Sequence, residues 1–387
     1  MNISKMKKTG THAIAATVLG LLAALPLQAE PFAYIPDYDG NISVIDTATN
    51  TEVDNIPSAP GSIEMHPSGH TFYISSSSDS VSAYDTASNT LIATIPTDRQ
   101  PSGIAISAVT NFVYVTNYNF GGPGSVTVID ASTNSVIATI PVDDTPGNIV
   151  VSPDGSKVYV AHNNRQITII DSATHTVTGT LLNQGGVLDM VAHPTENFIY
   201  IASGHSIHVI DTETDSEITR VAIGAHGYFI DISPDGSKLY TANYTAQSVS
   251  VMDTQTNSLI ETILMDHYPF GIKVHPSGES VYAPGFAFDT SGPVTEVVII
   301  ETATQTISER INSLGYIPLD IAITPMPEDI GGNATGTQQL SVVCSNLTTS
   351  QQITLSLGTA TDWNCETAGL SASPGDQIQM NILGTAK

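Results

Sequence analysis

The side chains that could carry chemistry are histidines, carboxylates and aromatic residues spread at wide intervals along the chain. Four of the histidines are His162, His205, His226 and His267. Together with Asp189 and Asp320 they could bind a divalent metal ion or transfer protons. None of these four histidines forms a local His-x-x-x-His pair, so only the fold could bring them together. Spacing alone therefore favours a structural or solvent-exposed role for each histidine.

Motifs of common catalytic and cofactor sites are missing from the sequence. It contains no Gly-x-Ser-x-Gly, no phosphate-binding loop, no His-Glu-x-x-His and no Cys-x-x-Cys-His for covalent haem. The formal net charge is −26, from 11 basic and 37 acidic residues. A surface with this charge and without a basic stripe repels nucleic acid. We predict no cofactor, although such a surface could attract a divalent cation such as calcium.

A repeat of about forty residues reveals the elements that must position these side chains. One tyrosine marks it at Tyr34, Tyr73, Tyr114, Tyr159, Tyr200, Tyr240 and Tyr282. An acidic residue closing a Val-Ile-Asp triplet or a variant of it keeps the same period, at Asp46, Asp85, Asp130, Asp171, Asp211, Asp253 and Glu301. Each copy contains four short strands, and one such sheet cannot bury its faces without a neighbour. The repeat therefore predicts a ring of small sheets, or blades.

Turn residues separate the strands of each copy. The first two strands flank turns such as Ser152-Pro153-Asp154-Gly155. The fourth residue after each repeated acid is Asn50, Asn89, Asn134, His175, Asp215, Asn257 or Gln305. Asn at these positions tolerates left-handed backbone angles, which predicts tight turns between the third and fourth strands.

The two ends of the array complement one another. The chain enters at the Tyr34 strand without the strand that should precede it, and it leaves after Ile321 without the strands that should follow. We therefore predict that residues 319–324 pair with residues 32–36, so that the seventh blade is built from both termini. The predicted fold is all-β: a seven-bladed β-propeller closed by N- and C-terminal strands, plus a small C-terminal β domain.

The repeat resembles a known family. Tyr114-Val115-Thr116-Asn117, Val128-Ile129-Asp130 and Ile140-Pro141-Val142 look like the signature of the YVTN family of seven-bladed β-propellers. The resemblance implies an exported or surface-layer propeller that serves as a binding or interaction scaffold. Related propellers include a periplasmic DNA-binding protein and the heavy subunits of quinone-linked amine dehydrogenases. The signature residues are architectural, so they identify a fold and leave function to the loops.

In such propellers the loops that lead into each first strand share one face with the loops that join the second and third strands, and ligands usually bind there. The residues that we predict to bind a ligand are Arg99, Tyr118, Phe120, Asp189, His226, Tyr228, His267, Tyr268, Phe286 and Asp320. Two segments, 117–125 and 283–296, are longer than their counterparts and are predicted as functional loops. Aromatic rings with a few polar groups could hold a sugar, a peptide or a small ring.

Three functions are compatible with the predicted propeller and its loop residues. The leading hypothesis is a binding or cell-surface interaction scaffold that takes a small molecule, a saccharide or a protein at the rim of the propeller. The alternatives are a metal-assisted enzyme of the lactonase or polysaccharide-lyase type and a subunit of a quinone-linked dehydrogenase. Because no catalytic motif occurs, the sequence favours binding over catalysis.

The chain ends carry targeting and stabilising features. Residues 1–29 are predicted to be a signal peptide, because Lys5, Lys7 and Lys8 precede a short apolar run. The propeller then spans residues 30–327, a linker 328–337 and a small β domain 338–387. The two cysteines, Cys344 and Cys365, are predicted to form a disulfide in this last domain. We expect a periplasmic, secreted or cell-surface protein with no transmembrane segment after signal cleavage.

Overall fold

The computed structural model describes residues 6–7, 31–76, 78–119, 122–182, 185–289, 292–312, 317–326, 340–346, 351–356 and 377–384. All regular elements in these ranges are β-strands. Accordingly, the described part of the chain has no helix of the length and apolarity needed to cross a membrane. The chain divides into two compact units: Glu30–Ile330, and Met1–Ala29 together with Gly331–Lys387.

Unit Glu30–Ile330 contains seven antiparallel sheets, each a blade whose strands follow one another from the centre outward. Blade 1 contains Ile63–Met65, Thr71–Ser76, Ser80–Asp85 and Thr90–Pro96. Blade 2 contains Pro101–Ile106, Phe112–Asn117, Pro123–Asp130 and Ser135–Asp144. Blade 3 contains Pro146–Val151, Lys157–His162, Gln166–Asp171 and Thr176–Leu182. Blade 4 contains Asp189–Ala192, Phe198–Ser203, Ser206–Asp211 and Ser216–Ala222. Blade 5 contains Phe229–Ile232, Lys238–Asn243, Ser248–Asp253 and Ser258–Leu264.

Blades 6 and 7 depart from this simple order. In blade 6, Tyr268–Pro269 and Lys273–Val274 both pair with Ser280–Asp289, which is followed by Gly292–Glu301 and Thr306–Asn312. Blade 7 combines Ala322–Ile323 with Phe32–Pro36, Asn41–Asp46 and Thr51–Pro57. The pairing in blade 7 joins Ala33 to Ile323. The predicted closure of the ring by both chain ends is therefore confirmed, as is the seven-bladed all-β fold.

The hydrophobic core consists of layers between blades. Among the described residues there are seven clusters of buried apolar side chains, one between each pair of neighbouring blades. The innermost strands, with the residues directly before them, contribute apolar side chains to these layers, among them Ile63, Ile104, Ile149, Met190, Ile230, Ile272 and Ile321. Because the layers run all the way round, no blade has an open face, and the ring is stabilised by burial at seven interfaces.

The predicted turns after the third strands are present in every blade. All seven turn residues have positive φ: Asn50, Asn89, Asn134, His175, Asp215, Asn257 and Gln305. Several of their side chains also accept a hydrogen bond from the repeated tyrosine of the preceding blade. The hydroxyl of Tyr73 donates to Oδ1 of Asn134 at 2.9 Å, and that of Tyr159 donates to Oδ1 of Asp215 at 2.6 Å. The repeat signature therefore connects blades as well as shaping them.

The second unit contains a four-stranded antiparallel sheet. Its strands run in the order Met6–Lys7, Gln377–Gly384, Leu340–Asn346 and Gln351–Ser356. The small C-terminal β domain is thus present, with two residues of the predicted signal segment at its edge. Cys344 lies in the strand Leu340–Asn346. Its predicted disulfide partner Cys365 lies outside the described residues, so this disulfide stays a prediction.

Candidate functional site

The loops that lead into the innermost strands share one face of the propeller with the loops that join the second and third strands. His226 precedes the innermost strand of blade 5, and His205 follows the second strand of blade 4. Their ring centroids are 5.4 Å apart, which places the two kinds of loop side by side. We refer to this side of the propeller as the loop face.

Seven rings from blades 4 to 6 form a continuous group on the loop face, the aromatic cluster. Its members are His205, His226, Tyr228, Tyr244, Tyr268, Phe270 and Phe286. Ring centroids are 5.2 Å apart between His226 and Tyr228 and 5.4 Å apart between Tyr228 and Tyr244. Separations in this range are those of favourable tilted and edge-to-face aromatic pairs. The cluster therefore continues from one blade to the next.

Tyr244 is the centre of the aromatic cluster. Its ring centroid lies 5.3 Å from that of Tyr268 and 5.6 Å from that of Phe270. It also lies 6.2 Å from the ring centroid of Phe286. A side chain with this many ring contacts fixes the relative positions of the others. Truncation of Tyr244 would consequently disturb the whole surface rather than one contact.

The cluster is partly open to solvent. His205 is exposed, Phe286 is buried, and the other five rings are half-buried. Such rings offer flat apolar faces together with polar hydroxyl and imidazole edges. A surface of this kind binds sugars, planar rings or aromatic side chains by stacking, while the polar edges set the orientation of the ligand.

Strand pairing in blade 6 explains how Tyr268 and Phe286 come together. The two residues are direct cross-strand partners, and their rings stack at 5.5 Å with an interplanar angle of 26°. A Cβ on the neighbouring Gly285 would lie 2.3 Å from the carbonyl oxygen of Tyr268 and 2.5 Å from Cδ2 of His267. Only glycine therefore allows this close approach.

The prediction that residues 283–296 form a long loop was wrong. Strand pairing continues through this segment, from Ala283 opposite Val298 out to Asp289 opposite Gly292. The alternation of apolar and small residues allows the hairpin to extend beyond the length seen in blade 5. The inserted residues thus lengthen two strands, and this extension carries Phe286 to the loop face. In segment 117–125, Phe120 lies outside the described residues.

A compact polar group adjoins the aromatic cluster. One ligand atom each of Asp266, His267 and Glu296 lies within 4.8 Å of the other two. Arg310 connects the two carboxylates. Its Nη2 lies 2.6 Å from Oδ1 of Asp266, and its Nη1 lies 3.0 Å from Oε2 of Glu296. We refer to the first three residues as the Asp266–His267–Glu296 group.

His267 is the buried member of that group. Its side chain is fully buried, and neither ring nitrogen makes a hydrogen bond of good geometry among the described residues. Its Nδ1 lies 3.6 Å from Oε1 of Glu296. Burial lowers the pKa of His267, and the charge of Glu296 opposes this shift only in part. Burial therefore favours the neutral ring.

The innermost strands of all seven blades enclose an axial cavity of about 300 Å³. Five charged side chains belong to its lining: Glu64, Asp189, Asp231, Lys273 and Asp320. They occupy the positions that alternate with the buried apolar residues of these strands. Four carboxyl groups and one ammonium group therefore share one confined space.

Three of the cavity carboxylates join neighbouring blades. Oδ2 of Asp189 accepts a hydrogen bond from the backbone N–H of Ile230 at 2.9 Å. Asp231 accepts one from Val274 at 2.7 Å. In the same way, Oδ2 of Asp320 accepts the N–H of Ile63 at 3.1 Å. Each bond crosses from one blade to the next, which gives these aspartates a structural role.

Burial in the cavity favours protonated carboxyl groups. It raises the pKa of Glu64 to about 7, that of Asp189 to about 7 and that of Asp320 to about 6. The charge of Asp231 raises the pKa of Lys273, whose Nζ lies 3.5 Å from Oδ1 of that aspartate. The cavity therefore holds one stable ammonium group together with Glu64, Asp189 and Asp320, whose pKa values are raised towards neutral pH.

The structure brings together only some of the predicted ligand-binding residues. His226, Tyr228, Tyr268 and Phe286 belong to the aromatic cluster, and His267 lies directly beside it. Asp189 and Asp320 instead line the axial cavity. Arg99 and Tyr118 lie on the blade 2 sector of the loop face, where the N–H of Tyr118 donates to the carbonyl of Gln100 at 3.0 Å.

The histidines that could have formed a metal site with Asp189 and Asp320 do not meet at one point: His205 and His226 lie together in the aromatic cluster, away from His162. His162 is buried in blade 3, where its Nε2 lies 2.9 Å from Oγ1 of Thr168. Within the described ranges, the three-residue group with metal-binding geometry is Asp266, His267 and Glu296, which shares only His267 with the predicted set. The carboxylates of this group come from a loop and from the lengthened hairpin, so spacing alone could not reveal it.

The sequence analysis did not identify some residues of the cavity and of the aromatic cluster, although the sequence contains a pattern that indicates several of them. Glu64, Asp231 and Lys273 occupy the same alternating positions of the innermost strands as Asp189 and Asp320. That alternation could have placed all five in one cavity. Phe270 was missed because the repeat does not predict its position. In blade 6 alone the innermost strand is interrupted between Tyr268–Pro269 and Lys273–Val274, and Phe270 lies in this interruption.

Comparisons with known proteins support the fold. No family model and no curated protein matches this sequence. Among solved structures, hydrazine synthase from Kuenenia stuttgartiensis is 19% identical with a TM-score of 0.61, covering 68% of this chain and 90% of that chain. Dihydro-heme d1 dehydrogenase NirN in complex with DHE is 15% identical with a TM-score of 0.57, covering 80% and 79%.

A functionally unknown protein from Desulfotomaculum acetoxidans DSM 771 is 15% identical with a TM-score of 0.64, covering 76% of this chain and 99% of that chain. At such identities, similarity in structure carries no information about ligand or reaction. These three proteins share the propeller fold with this chain.

Proposed function

We propose that this protein is an exported β-propeller that binds a ligand with a flat, partly apolar face on its aromatic cluster. The observation that carries the proposal is the chain of seven ring contacts from His205 to Phe286, across three blades, with most rings half-buried. Export is inferred from the predicted signal peptide and from the resemblance to YVTN propellers.

The charge of the protein narrows the ligand class. A net charge of −26 repels anionic polysaccharides and nucleic acids at moderate ionic strength. Stacking on tyrosine rings needs a flat apolar face, and the hydroxyl and imidazole edges need hydrogen-bonding partners. A neutral saccharide meets both requirements, and a small planar ring or an aromatic side chain of a protein meets them in part. We therefore place neutral saccharides first.

Two tyrosines on the loop face offer a matched comparison. Tyr244 is the hub of the aromatic cluster, whereas Tyr38 stands on blade 7, where its side chain is 65% exposed. An array of neutral oligosaccharides probed with the tag-free protein should identify a ligand. We expect Tyr244→Ala to weaken its binding at least tenfold, because stacking on one aromatic ring is worth about 1–3 kcal/mol where bases stack on proteins. Tyr38→Ala should leave binding unchanged.

Folding of each variant is checked by its melting temperature. If Tyr244→Ala lowers that temperature strongly, Tyr228→Ala replaces it, since Tyr228 is a half-buried member at one side of the hub. A folded cluster variant that binds every array ligand as tightly as the unchanged protein contradicts the proposal. The proposal is also contradicted if Tyr38→Ala weakens ligand binding as much as Tyr244→Ala does.

A metal-assisted enzyme is the second candidate, because the Asp266–His267–Glu296 group adjoins the aromatic cluster and carries nitrogen and oxygen ligand types. This candidate predicts turnover of lactones or cleavage of polysaccharides that is lost when chelator is added. Binding without turnover favours the scaffold. A quinone-linked dehydrogenase subunit, the third hypothesis, predicts co-purification with a cofactor-bearing partner.

A further inference from the structure

We propose that Asp266, His267 and Glu296 form a binding site for one divalent transition-metal ion, and that Arg310 competes with the ion for the two carboxylates. The proposal concerns a site beside the aromatic cluster and does not depend on the proposed ligand binding. It rests on the geometry of three ligand atoms, on an unpartnered buried imidazole and on the position of one guanidinium group.

The separations between the ligand atoms suit a single ion. Nδ1 of His267 lies 3.6 Å from Oε1 of Glu296. Two ligands of a tetrahedral ion with bonds of about 2.0–2.1 Å are separated by about 3.4 Å. One carboxylate oxygen of Asp266 lies within 4.8 Å of a ligand atom of each of these two residues. Asp266 is 75% exposed, so its side chain can close the remaining distance and give the ion access from solvent.

The buried imidazole of His267 favours a ligand at this site. A buried polar atom normally has a hydrogen-bond partner, and leaving it without one costs about 1–3 kcal/mol. The side chain of His267 is 0% exposed, and neither ring nitrogen makes a hydrogen bond of good geometry within the described part of the chain, although the carboxylate of Glu296 and the backbone of Ala283 lie near enough to oppose in part the lowering of its pKa by burial. Coordination through Nδ1 would satisfy one of these atoms, because an imidazole nitrogen is a common metal ligand.

Arg310 gives the site a second state. Its Nη1 lies 3.0 Å from both carboxylate oxygens of Glu296, and its Nη2 lies 2.6 Å from Oδ1 of Asp266. The guanidinium group therefore neutralises both carboxylates by direct contact. A bound ion would take over that role and release Arg310, whose side chain is 30% exposed and can turn towards solvent. Ion and guanidinium group thus exclude one another.

The ligand types select the class of metal. One imidazole nitrogen with two carboxylates suits Zn²⁺, Mn²⁺, Fe²⁺ or Co²⁺, whereas Ca²⁺ and Mg²⁺ prefer sites built from oxygen alone. Three protein ligands leave at least one coordination position for water or another small ligand. The site should therefore prefer Zn²⁺ strongly over Ca²⁺.

The test is a titration of the full, tag-free, chelator-treated protein with ZnCl₂ by isothermal titration calorimetry. We expect one equivalent of Zn²⁺ to bind, and Co²⁺ to show visible absorption bands that ZnCl₂ abolishes. Asp266→Asn should weaken Zn²⁺ binding at least tenfold. This substitution alters an exposed side chain, so it should fold even if Glu296→Gln does not. Arg310→Gln should strengthen binding about tenfold, because it removes the competitor.

Matched variants separate the site from general charge effects. Glu309→Gln alters an exposed acid on the same strand as Arg310, and Arg220→Gln removes an exposed arginine paired with Glu217 in blade 4. Both should bind Zn²⁺ like the unchanged protein. The site is refuted if neither the unchanged protein nor Arg310→Gln binds an equivalent of Zn²⁺, or if Asp266→Asn binds normally. If Arg220→Gln and Arg310→Gln strengthen Zn²⁺ binding equally, Arg310 does not compete with the ion for the two carboxylates.

Discussion

Single side chains in this protein act across blade boundaries. The repeated tyrosines are fully buried, and hydroxyl groups such as those of Tyr73 and Tyr159 reach turns of the next blade. The cavity aspartates act in the same way on the innermost strands, where Asp189 bonds to the N–H of Ile230. At the residue scale, the ring is therefore held together by polar contacts in addition to its apolar layers.

Removing one tyrosine hydroxyl should reveal the strength of these contacts. Tyr73 donates to the neutral side chain of Asn134, whereas Tyr159 donates to Asp215, which also pairs with Lys157 at 2.7 Å. We expect Tyr73→Phe to lower the free energy of unfolding by about 1 kcal/mol and Tyr159→Phe by about 1.5–3 kcal/mol, since bonds to charged groups are stronger. Urea denaturation measures both, and a smaller loss for Tyr159→Phe contradicts this account.

Glu64 makes stability depend on pH. Its pKa is raised to about 7 by burial, so the folded protein disfavours the charged form. Protonated Glu64 therefore stabilises the folded state. This contribution to the free energy of unfolding is fully present below the ordinary carboxyl pKa and is lost as pH rises through about 7. From pH 5 to pH 8, the unchanged protein should lose about 1–3 kcal/mol more than Glu64→Gln, because one pKa unit corresponds to about 1.4 kcal/mol and cavity water weakens the effect. Melting curves at both pH values test this, and parallel pH profiles contradict it.

Elements of the propeller position the aromatic cluster through pairing and close approach. The lengthened hairpin of blade 6 carries Phe286 onto Tyr268, and the absence of a side chain at Gly285 lets His267 lie against the backbone. Gly186 has no such role. A Cβ on Gly186, in the segment that leads into blade 4, would meet no atom within 4 Å.

The two glycines form a matched pair for an alanine substitution. Gly285→Ala should lower the free energy of unfolding by about 1–3 kcal/mol, as overpacking usually does, and should change the near-ultraviolet circular dichroism of the stacked rings. Gly186→Ala should be neutral or slightly stabilising. Guanidinium denaturation and circular dichroism provide the measurements. Equal effects of the two substitutions would show that close packing at Gly285 is unimportant.

The sequence predicted the elements better than the site. The tyrosine period and the left-handed turn at Asn134 report local backbone preferences, which a repeat displays seven times. The contact between Tyr73 and Asn134 depends on the rotation between blades, which no local pattern contains. Asp189 and Asp320 were assigned to the rim, although their alternation with buried residues places them in the cavity. Residues 283–296 resembled a loop because inserted residues in one copy break the repeat.

At the scale of the whole molecule, closure by the two chain ends determines stability. Blade 7 has its innermost strand only because Ala322–Ile323 pairs with Phe32–Pro36. The apolar layers on both sides of blade 7 include Ile321, Ala322 and Ile323. Without these residues the ring has an open edge and exposed apolar faces.

Two truncations separate closure from the rest of the chain. A chain that ends at Ile330 retains the whole propeller unit and should melt cooperatively near the temperature of that unit in the full chain. A chain that ends at Leu319 lacks the innermost strand of blade 7 and should lose several kcal/mol of stability or aggregate, because core side chains cost about 2–5 kcal/mol each when removed. Similar melting of the two truncated chains would contradict closure.

Hydrogen–deuterium exchange of the full protein, alone and saturated with the best oligosaccharide from the array, measures directly whether the ligand binds on the aromatic cluster. A ligand on the aromatic cluster should slow exchange in residues 223–228, 244–247 and 264–268, which lie on blades 4 to 6 of the loop face. Exchange in the opposite turns, such as residues 152–155 and 233–236, should not change. Protection confined to those turns, or to blades 1 to 3, would contradict the account.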